Sequence, residues 1–319
     1  MNPTDNYTAV SLFTIPPDEP LPFSVSVYYR GHFVLYRKSG QAFDVGKYNR
    51  FIYKRISKLY ISDADLDSYK EFVRQRQAIE EQKFNDPKLS VEQKVTNKTI
   101  RSLDLTTREL FAGSDEDMGA NVAKVVGVAK DTVQRICERP YLRIFDSIPS
   151  SSSVISHSMR VSLMATFLGY QLGFVNPLAL ENLAAAGMLH DIGKTRLAMP
   201  DEIEMTEEQE KEIELNHSTL SVEELKKFPL VPEEVVHIIT EHHERRDGTG
   251  FPNKMRGRQM HGLTKVFVIA NTFDNLVTQF PGEREAKCRL AAEKMEQEMR
   301  AWFEPMLLPK ALKLLVAPG

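Results

Sequence analysis

Histidines are concentrated in one part of this chain, and their positions restrict how that part can fold. Seven of the eight histidines lie between residues 157 and 261. Apolar residues recur there at helical spacing, and no alternating strand pattern occurs in the sequence from residue 150 onward. Because unpaired imidazole nitrogens are costly to bury, helices that direct several histidines inward must also provide something for them to bind. The pattern therefore predicts an all-helical region built around a polar centre.

Composition excludes several classes of protein. The net charge of −3, with 42% hydrophobic and 27% charged residues, is typical of a soluble globular chain and gives no general attraction to nucleic acid. Cys137 and Cys288 lack the spacing of a disulfide or a metal site and suit a reducing compartment. No apolar run approaches the roughly 20 residues of a membrane span, and the first ten residues lack a signal pattern. We expect a cytoplasmic protein.

The 319 residues are enough for more than one domain, and three regions are predicted. Residues 1–22 contain five prolines and predict a loosely held arm, and residues 23–84 predict a hairpin, a short helix, a third strand and a charged helix. Residues 1–88 would thus form a small α+β N-terminal, regulatory domain. Residues 89–149 predict a linker of two helices, which either packs only, transmits motion, or pairs with a second copy in a homodimer. Residues 150–319 are predicted to be helical, so the chain as a whole is expected to be mainly α.

Helix-start signals distribute the histidines over successive helices. The predicted helices are one from Val154 to Leu172 with His157, one opened by Asn176-Pro177 that runs into His190-Asp191, one opened by Thr206 that carries His217, and one opened by Pro232 that ends at His242-His243. A further apolar helix is predicted from Leu263 to Val277. In a helical bundle, such positions can converge on one point in the core.

These positions supply six candidate metal ligands: His157, His190, Asp191, His217, His242 and His243. A single histidine on an apolar face is more often an ordinary core residue, and His32, His237 and His261 are better explained as structural or surface residues. Six converging positions instead predict two divalent transition metal ions with Asp191 shared between them. Nitrogen and oxygen donors without thiolate suit iron or manganese better than zinc.

A pair of metal ions also predicts a chemistry. Two ions a few ångströms apart clamp phosphate oxygens for the in-line hydrolysis of a phosphoester. Asp191 would belong to this catalytic centre, and Lys194, on the turn that follows, would neutralise charge on the phosphoryl group. The alternative for Lys194 is an ordinary cation at the C-terminus of a helix.

Two strings carry a resemblance to a known family. HDIGK at residues 190–194 and HHERRDGTGFP at residues 242–252 resemble the signature strings of the HD-GYP family, metal-dependent phosphodiesterases of the HD superfamily that cleave cyclic di-GMP. The resemblance covers roughly residues 150–300. It implies an HD-type all-helical hydrolase domain over residues 150–319, an enzyme of bacterial second-messenger signalling, and cyclic di-GMP or a related cyclic nucleotide as substrate.

The resemblance also implies roles for particular residues. One metal ion would be held by His157, His190, Asp191 and Asn271, and a second by Asp191, His217, His242 and His243. Asp274, one helical turn after Asn271, is the alternative to it. The loop that contacts substrate or partner would consist of Asp247, Gly248, Gly250, Phe251 and Pro252. The resemblance further implies that this loop contacts diguanylate cyclase domains, which are therefore expected partners.

Four departures from the family pattern bear on activity. Phe251 replaces a tyrosine, and Ser153 stands where some members carry a glutamate associated with a third metal ion. Asn271 replaces an aspartate, and Phe280-Pro281-Gly282-Glu283 stands in place of a basic phosphate-binding string. They predict two metal ions rather than three, one of them held more weakly. They also support a second interpretation, a catalytically weak or inactive metal-containing module that acts by binding a ligand or a protein. Hydrolysis of another phosphoester is a third interpretation.

Overall fold

The computed structural model describes residues 6–196 and 206–317. Within these ranges the chain divides into two compact units, with the boundary between Asn97 and Lys98. No helix of the described ranges is long and apolar enough to cross a membrane. The predicted fold class, a small α+β part followed by an all-helical part, is confirmed.

The first unit contains an antiparallel sheet of four strands in the order β1-β4-β2-β3. Its strands are β1 (Tyr7–Ser11), β2 (Val25–Tyr29), β3 (His32–Arg37) and β4 (Lys58–Ser62), and its helices are α1 (Val45–Tyr53) and α2 (Leu66–Asn85). The predicted hairpin is present as β2 and β3. Gly31 closes it with φ of 85°, a conformation that glycine adopts without steric cost.

The prediction of a loosely held arm over residues 1–22 is wrong for the part that the structure describes, which begins at residue 6. β1 pairs with β4 from Tyr7 opposite Ser62 to Ser11 opposite Lys58. Leu12, Ile15 and Leu21 are fully buried. The prolines of this segment lie outside the strand, so they remove none of its ladder hydrogen bonds. Burial of the apolar residues between them holds the segment in place.

From residue 91 onward, the regular secondary structure of the described residues is helical. Its helices are α3 (Val91–Ala112), α4 (Met118–Glu138), α5 (Val154–Gln171), α6 (Pro177–Leu189), α7 (Glu207–Leu225), α8 (Glu233–Glu241), α9 (Gly262–Gln279), α10 (Arg284–Gln297) and α11 (Leu308–Val316). The predicted helix starts are confirmed. Asn176 Oδ1 accepts a hydrogen bond from Leu178 N at 3.0 Å, and Thr206 and Gln209 form a capping box.

Helix α5 lies at the centre of the second unit and packs against both α6 and α9. The close approach of α5 and α6 depends on Gly187, where any side chain would clash with the backbone of Ser162. The Ser162 hydroxyl then donates to the Ala184 carbonyl at 2.8 Å. This tight crossing fixes the first turn of α5 relative to the end of α6, where the first candidate ligands lie.

Candidate metal centre

Four helices bring the candidate ligands to one buried region. His157 lies in the first turn of α5, His190 and Asp191 directly follow α6, His217 lies in the middle of α7, and His242 and His243 directly follow α8. All are buried except His243, which is half-buried. The positions that the sequence predicted are therefore brought together, and they form two groups.

The first group consists of His157, His190 and Asp191. The Nε2 atoms of the two histidines lie 3.2 Å apart. Asp191 Oδ2 lies 3.9 Å from His157 Nε2, and Asp191 Oδ1 lies 3.6 Å from His190 Nε2. Ligand atoms about 2.1 Å from a common ion are separated by about 3.0 to 3.4 Å at octahedral or tetrahedral angles. The group is close to this size, with the carboxylate slightly withdrawn.

The second group consists of His217, His242 and His243. His217 Nε2 lies 3.0 Å from the Nε2 atom of His242 and 3.0 Å from that of His243. Asp191 Oδ1 lies 3.3 Å from His217 Nε2, so the same carboxylate touches both groups. These separations equal the edges of a coordination polyhedron around one ion.

Hydrogen bonds on the outer side of the rings fix the tautomers. The Nδ1 atoms of His190, His217 and His242 lie 2.7 to 3.0 Å from the carbonyl oxygens of Gly187, Ile213 and Ile239. Since a carbonyl only accepts, each Nδ1 carries the proton and each neutral ring directs an unprotonated Nε2 inward. Lone pairs about 3 Å apart repel one another unless a cation lies between them. The donor set therefore fits divalent metal ions.

The ionisation of the groups agrees with this fit. Burial lowers the pKa of His190 and of His242 to about 3 and that of His217 to about 4. Burial also lowers the pKa of His243 well below its usual range. For Asp191, burial acts to raise the pKa, but the surrounding groups, with His190 and Lys194 foremost, hold it well below its usual range. Neutral imidazoles and an ionised carboxylate are the forms that bind metals.

Asn271 and Asp274, both on α9, differ in what they contact. The Oδ1 atom of Asn271 is buried and has no hydrogen-bond partner among the described residues. Leaving a buried acceptor unpaired costs about 1–3 kcal/mol. Coordination of a metal ion by this oxygen would remove that cost. Asp274 accepts from Arg160 Nε at 2.6 Å and lies 2.8 Å from His157 Nδ1. Its carboxylate orients the ring of His157, as outer carboxylates do at metal sites.

Lys194 lies in a 3-10 turn, Ile192–Thr195, that begins directly after Asp191. Its Nζ atom is 2.8 Å from Asp191 Oδ2, and its side chain is only 15% exposed. Gly193 makes this turn possible, because a side chain there would clash with the backbone of α7 at His217. The ammonium group is thus held beside the shared carboxylate.

The loop after α8 is tied to the second group. Phe251 stacks on His243 with ring centroids 4.6 Å apart and an angle of 16°. Gly250 lies so close to the backbone of His243 and Glu244 that no side chain fits. Asp247 is exposed and accepts from Thr249, and Gly248 has φ of 83°. Pro252 follows in the same exposed turn.

Three histidines lie apart from both groups. His32 is exposed on β3. The rings of His237 and His261 stack with centroids 5.7 Å apart, and His261 Nδ1 accepts from Leu263 N at the start of α9. Ser153, at the start of α5, is buried and carries no charge toward the centre.

A cleft of about 420 Å³ opens beside the second group. Its walls include His242, His243, Phe251 and Asn271 together with residues that the sequence analysis did not single out: Glu214, Glu244, Arg245, Lys294 and Trp302. The guanidinium carbon of Arg245 lies 3.4 Å from the ring centroid of Trp302. The buried carboxylate of Glu244 accepts from Asn253 N and Met255 N and so holds the loop. Trp302, as the single tryptophan, is the one of these that sequence alone could have flagged.

Comparisons with known proteins locate the chain in a family. Residues 146–307 match the model of the HD domain family. A cyclic di-GMP phosphodiesterase of Pseudomonas aeruginosa is 29% identical over 162 residues, which are 49% of this chain and 38% of that protein. The 3'3'-cGAMP-specific phosphodiesterase 2 of Vibrio cholerae is 30% identical over 166 residues, 50% of this chain and 30% of that protein. The chain thus spans less than half the length of these curated relatives.

A solved structure is similar to this chain in fold. It is a HDG"Y"P protein from Bdellovibrio bacteriovorus, with a TM-score of 0.61, 19% identity, and coverage of 98% of both chains. The family model matches just over half of the 319 residues, and the residues of both signature strings meet at the centre described above. The chain therefore belongs to the HD domain family, and its second string resembles the HD-GYP signature with Phe251 at the position of the tyrosine.

Proposed function

We propose that this chain is a binuclear metal-dependent phosphodiesterase that hydrolyses cyclic di-GMP or a related cyclic nucleotide. The observation that carries the proposal is a pair of ligand groups that share Asp191 and adjoin a cleft of about 420 Å³. Two relatives named as cyclic di-GMP and 3'3'-cGAMP phosphodiesterases support the substrate class.

The ligands would be divided between two ions. His157, His190, Asp191 and Asn271 would hold the first, and Asp191, His217, His242 and His243 the second. Iron or manganese suits this set of imidazole and oxygen donors. When bound, such a pair polarises the phosphoryl oxygens and supplies a nucleophile at neutral pH.

Lys194 would stabilise charge on the phosphoryl group. Its ammonium lies 2.8 Å from the shared carboxylate and is largely shielded from water. In that environment a fixed positive charge acts more strongly on developing negative charge than it would in solvent. The ion pair with Asp191 holds the ammonium in position before substrate arrives.

The stacked pair of Arg245 and Trp302 would receive a nucleobase. A flat guanidinium on an indole ring leaves planar surfaces on which a base can stack, and such stacking is worth about 1–3 kcal/mol per base. Both residues line the cleft that also contains His242 and His243. A base on this pair would leave the adjoining phosphate near the second ligand group.

A second function is supported by the loop. Phe251 keeps the ring stacked on His243 but has no hydroxyl. The resemblance also places the acidic Glu283 where the family has a basic phosphate-binding string. The exposed Asp247 and Thr249 form a surface beside the centre. A metal-containing module that binds nucleotide or a diguanylate cyclase domain, with little catalysis, would have these features.

One experiment separates the two functions. The purified chain is loaded with iron or manganese under anaerobic conditions and mixed with cyclic di-GMP or 3'3'-cGAMP, and the linear products are resolved. We expect turnover by the unaltered chain and by a His237→Ala control, and its loss in Asp191→Asn. His237 is a matched control because it is an exposed histidine outside both groups.

Nucleotide binding by the same metal-loaded chain is measured in parallel, and the two measurements together decide between the functions. Affinity retained without products supports the binding module. Absence of both turnover and nucleotide binding in the metal-loaded chain contradicts the phosphodiesterase proposal.

A further inference from the structure

Glu214 lies at the metal centre although it belongs to neither signature string. It is on α7, three residues before His217, and its side chain is 51% exposed on the wall of the cleft. Its Oε1 atom lies 3.4 Å from His243 Nε2, and its Oε2 atom lies 3.9 Å from Lys194 Nζ. The carboxylate therefore faces the second ligand group.

The distance to His243 favours a shared ion over a hydrogen bond. A charge-assisted N–H···O bond is about 2.7–2.9 Å long, which is shorter than the observed 3.4 Å. Two ligands of one ion are separated by about 3.0 to 3.4 Å. His217 Nε2 already has this spacing, 3.0 Å, to the Nε2 atoms of His242 and of His243. Glu214 Oε1 adds an oxygen at a comparable spacing on the His243 side of this group.

The balance of charge at the centre also supports a metal-binding role for Glu214. The two ligand groups contain one carboxylate, Asp191, and the oxygen of Asn271 is neutral. Lys194 Nζ lies 2.8 Å from Asp191 but 3.9 Å from Glu214, so this ammonium does not pair closely with the Glu214 carboxylate. Two divalent ions would face few compensating negative charges. A second carboxylate at the edge of the His217 group supplies one.

We infer that Glu214 is a further ligand of the second metal ion, beside Asp191, His217, His242 and His243. The inference rests on the proposed binuclear function. Glu214 lies on α7, outside both signature strings, so the spacing of residues in those strings does not identify it.

The test measures metal binding rather than turnover. Metal-free protein is titrated with Co²⁺, and both the number of bound ions and the visible absorption spectrum are recorded. The variants are Glu214→Ala and Glu214→Gln, with Glu212→Ala as the control, an exposed glutamate two residues earlier on the same helix. We expect two ions in the unaltered chain and in the control. In Glu214→Ala, affinity for one ion falls at least about tenfold and the cobalt bands shift.

The spectrum distinguishes a ligand from a nearby charge. Loss of a charge alone lowers affinity but leaves the ligands and hence the bands unchanged, so that result overturns the inference, as does unchanged affinity. Glu214→Gln, which keeps an oxygen without the charge, should lie between the two. In either overturning case the proposed function stands if two ions still bind. An unaltered chain that binds fewer than two ions contradicts the proposed function itself.

Discussion

A carboxylate outside the two candidate ligand groups fixes the orientation of one of their histidines. Asp274 contacts His157 on the side of the ring that faces away from the centre, and it also holds the fully buried Arg160. Replacing Asp274 leaves Arg160 as an uncompensated buried charge, which typically costs about 3–5 kcal/mol. We expect Asp274→Asn to lose stability by an amount of this order and metal affinity by about 10–100-fold. Chemical denaturation and metal titration measure the two effects separately.

The stability effect of Asp274 has a defined dependence on pH. Burial acts to raise the pKa of Asp274, but Arg160 and His157 outweigh it and lower the pKa to about 2. A folded pKa below the unfolded value of about 3.9 means that the stabilisation is complete above the unfolded pKa and is lost as pH falls toward 2. The difference in unfolding free energy between the unaltered chain and Asp274→Asn should therefore shrink between pH 5 and pH 2 in the presence of a chelator. A difference that stays constant over this range would contradict the assigned ion pair.

The cleft can be tested through its tryptophan. Trp302 is the single tryptophan of the chain and stacks against Arg245. We expect cyclic di-GMP to change its fluorescence and Trp302→Ala to raise KM more than it lowers kcat, because a base-stacking residue contributes mainly to binding. Trp302→Phe, which keeps a ring, should retain most of the affinity. Unchanged KM in Trp302→Ala would show that the base binds elsewhere.

Sequence patterns identified those candidate ligands that lie within a recognisable string of neighbouring residues. His190 and Asp191 adjoin one another and a glycine turn, so their role could be expected from the string alone. Glu214 has no such local signal, and Trp302 is marked only by being the single tryptophan. Folding brings Glu214 to His243 from 29 positions away and Trp302 to Arg245 from 57 positions away. Only the packing of α7, α8 and the C-terminal segment makes them part of the site.

At the scale of elements, the position of one ligand relative to another depends on how closely two helices approach. Gly187 on α6 faces the backbone of Ser162 on α5. We expect Gly187→Ala to force the helices apart, with an overpacking cost of about 1–3 kcal/mol. The movement should also separate His157 from His190 and weaken metal binding. Denaturation and Co²⁺ titration of the same variant measure both.

Gly127 provides the matched control for Gly187. It lies on α4, is exposed, and has no heavy atom within 4 Å of the position a side chain would take. Gly127→Ala should stabilise the chain by roughly 0.5–1 kcal/mol, because alanine is the better helix former. If both alanine variants behave alike, the close helix crossing does not position the ligands.

Local signals predicted elements well and long-range pairing poorly. The starts of α6 and α7 follow from Asn176 and Thr206, whose side chains cap the helices within three residues. β1 has no comparable signal, because its partner β4 lies about fifty positions later. The prolines nearby suggested a mobile arm, whereas the paired strand and the buried Leu12 show a fixed one. Tertiary contacts outweighed local composition there.

At the scale of the whole molecule, metal binding should be coupled to the stability of the second unit. Six candidate ligands from four helices converge on one region, and buried lone pairs oppose that arrangement when no cation is present. An ion that binds only the folded state stabilises it by about 2.7 kcal/mol when its concentration is one hundred times Kd. Since Trp302 lies in the second unit, its fluorescence follows the unfolding of that unit.

We expect manganese to raise the denaturation midpoint of the unaltered chain and a chelator to reverse the change. Asp191→Asn, which removes the carboxylate that touches both groups, should abolish most of the shift, whereas the exposed His237→Ala should preserve it. An equal shift in all three would mean that the ions bind outside this centre, because the shared carboxylate would then contribute nothing to holding them.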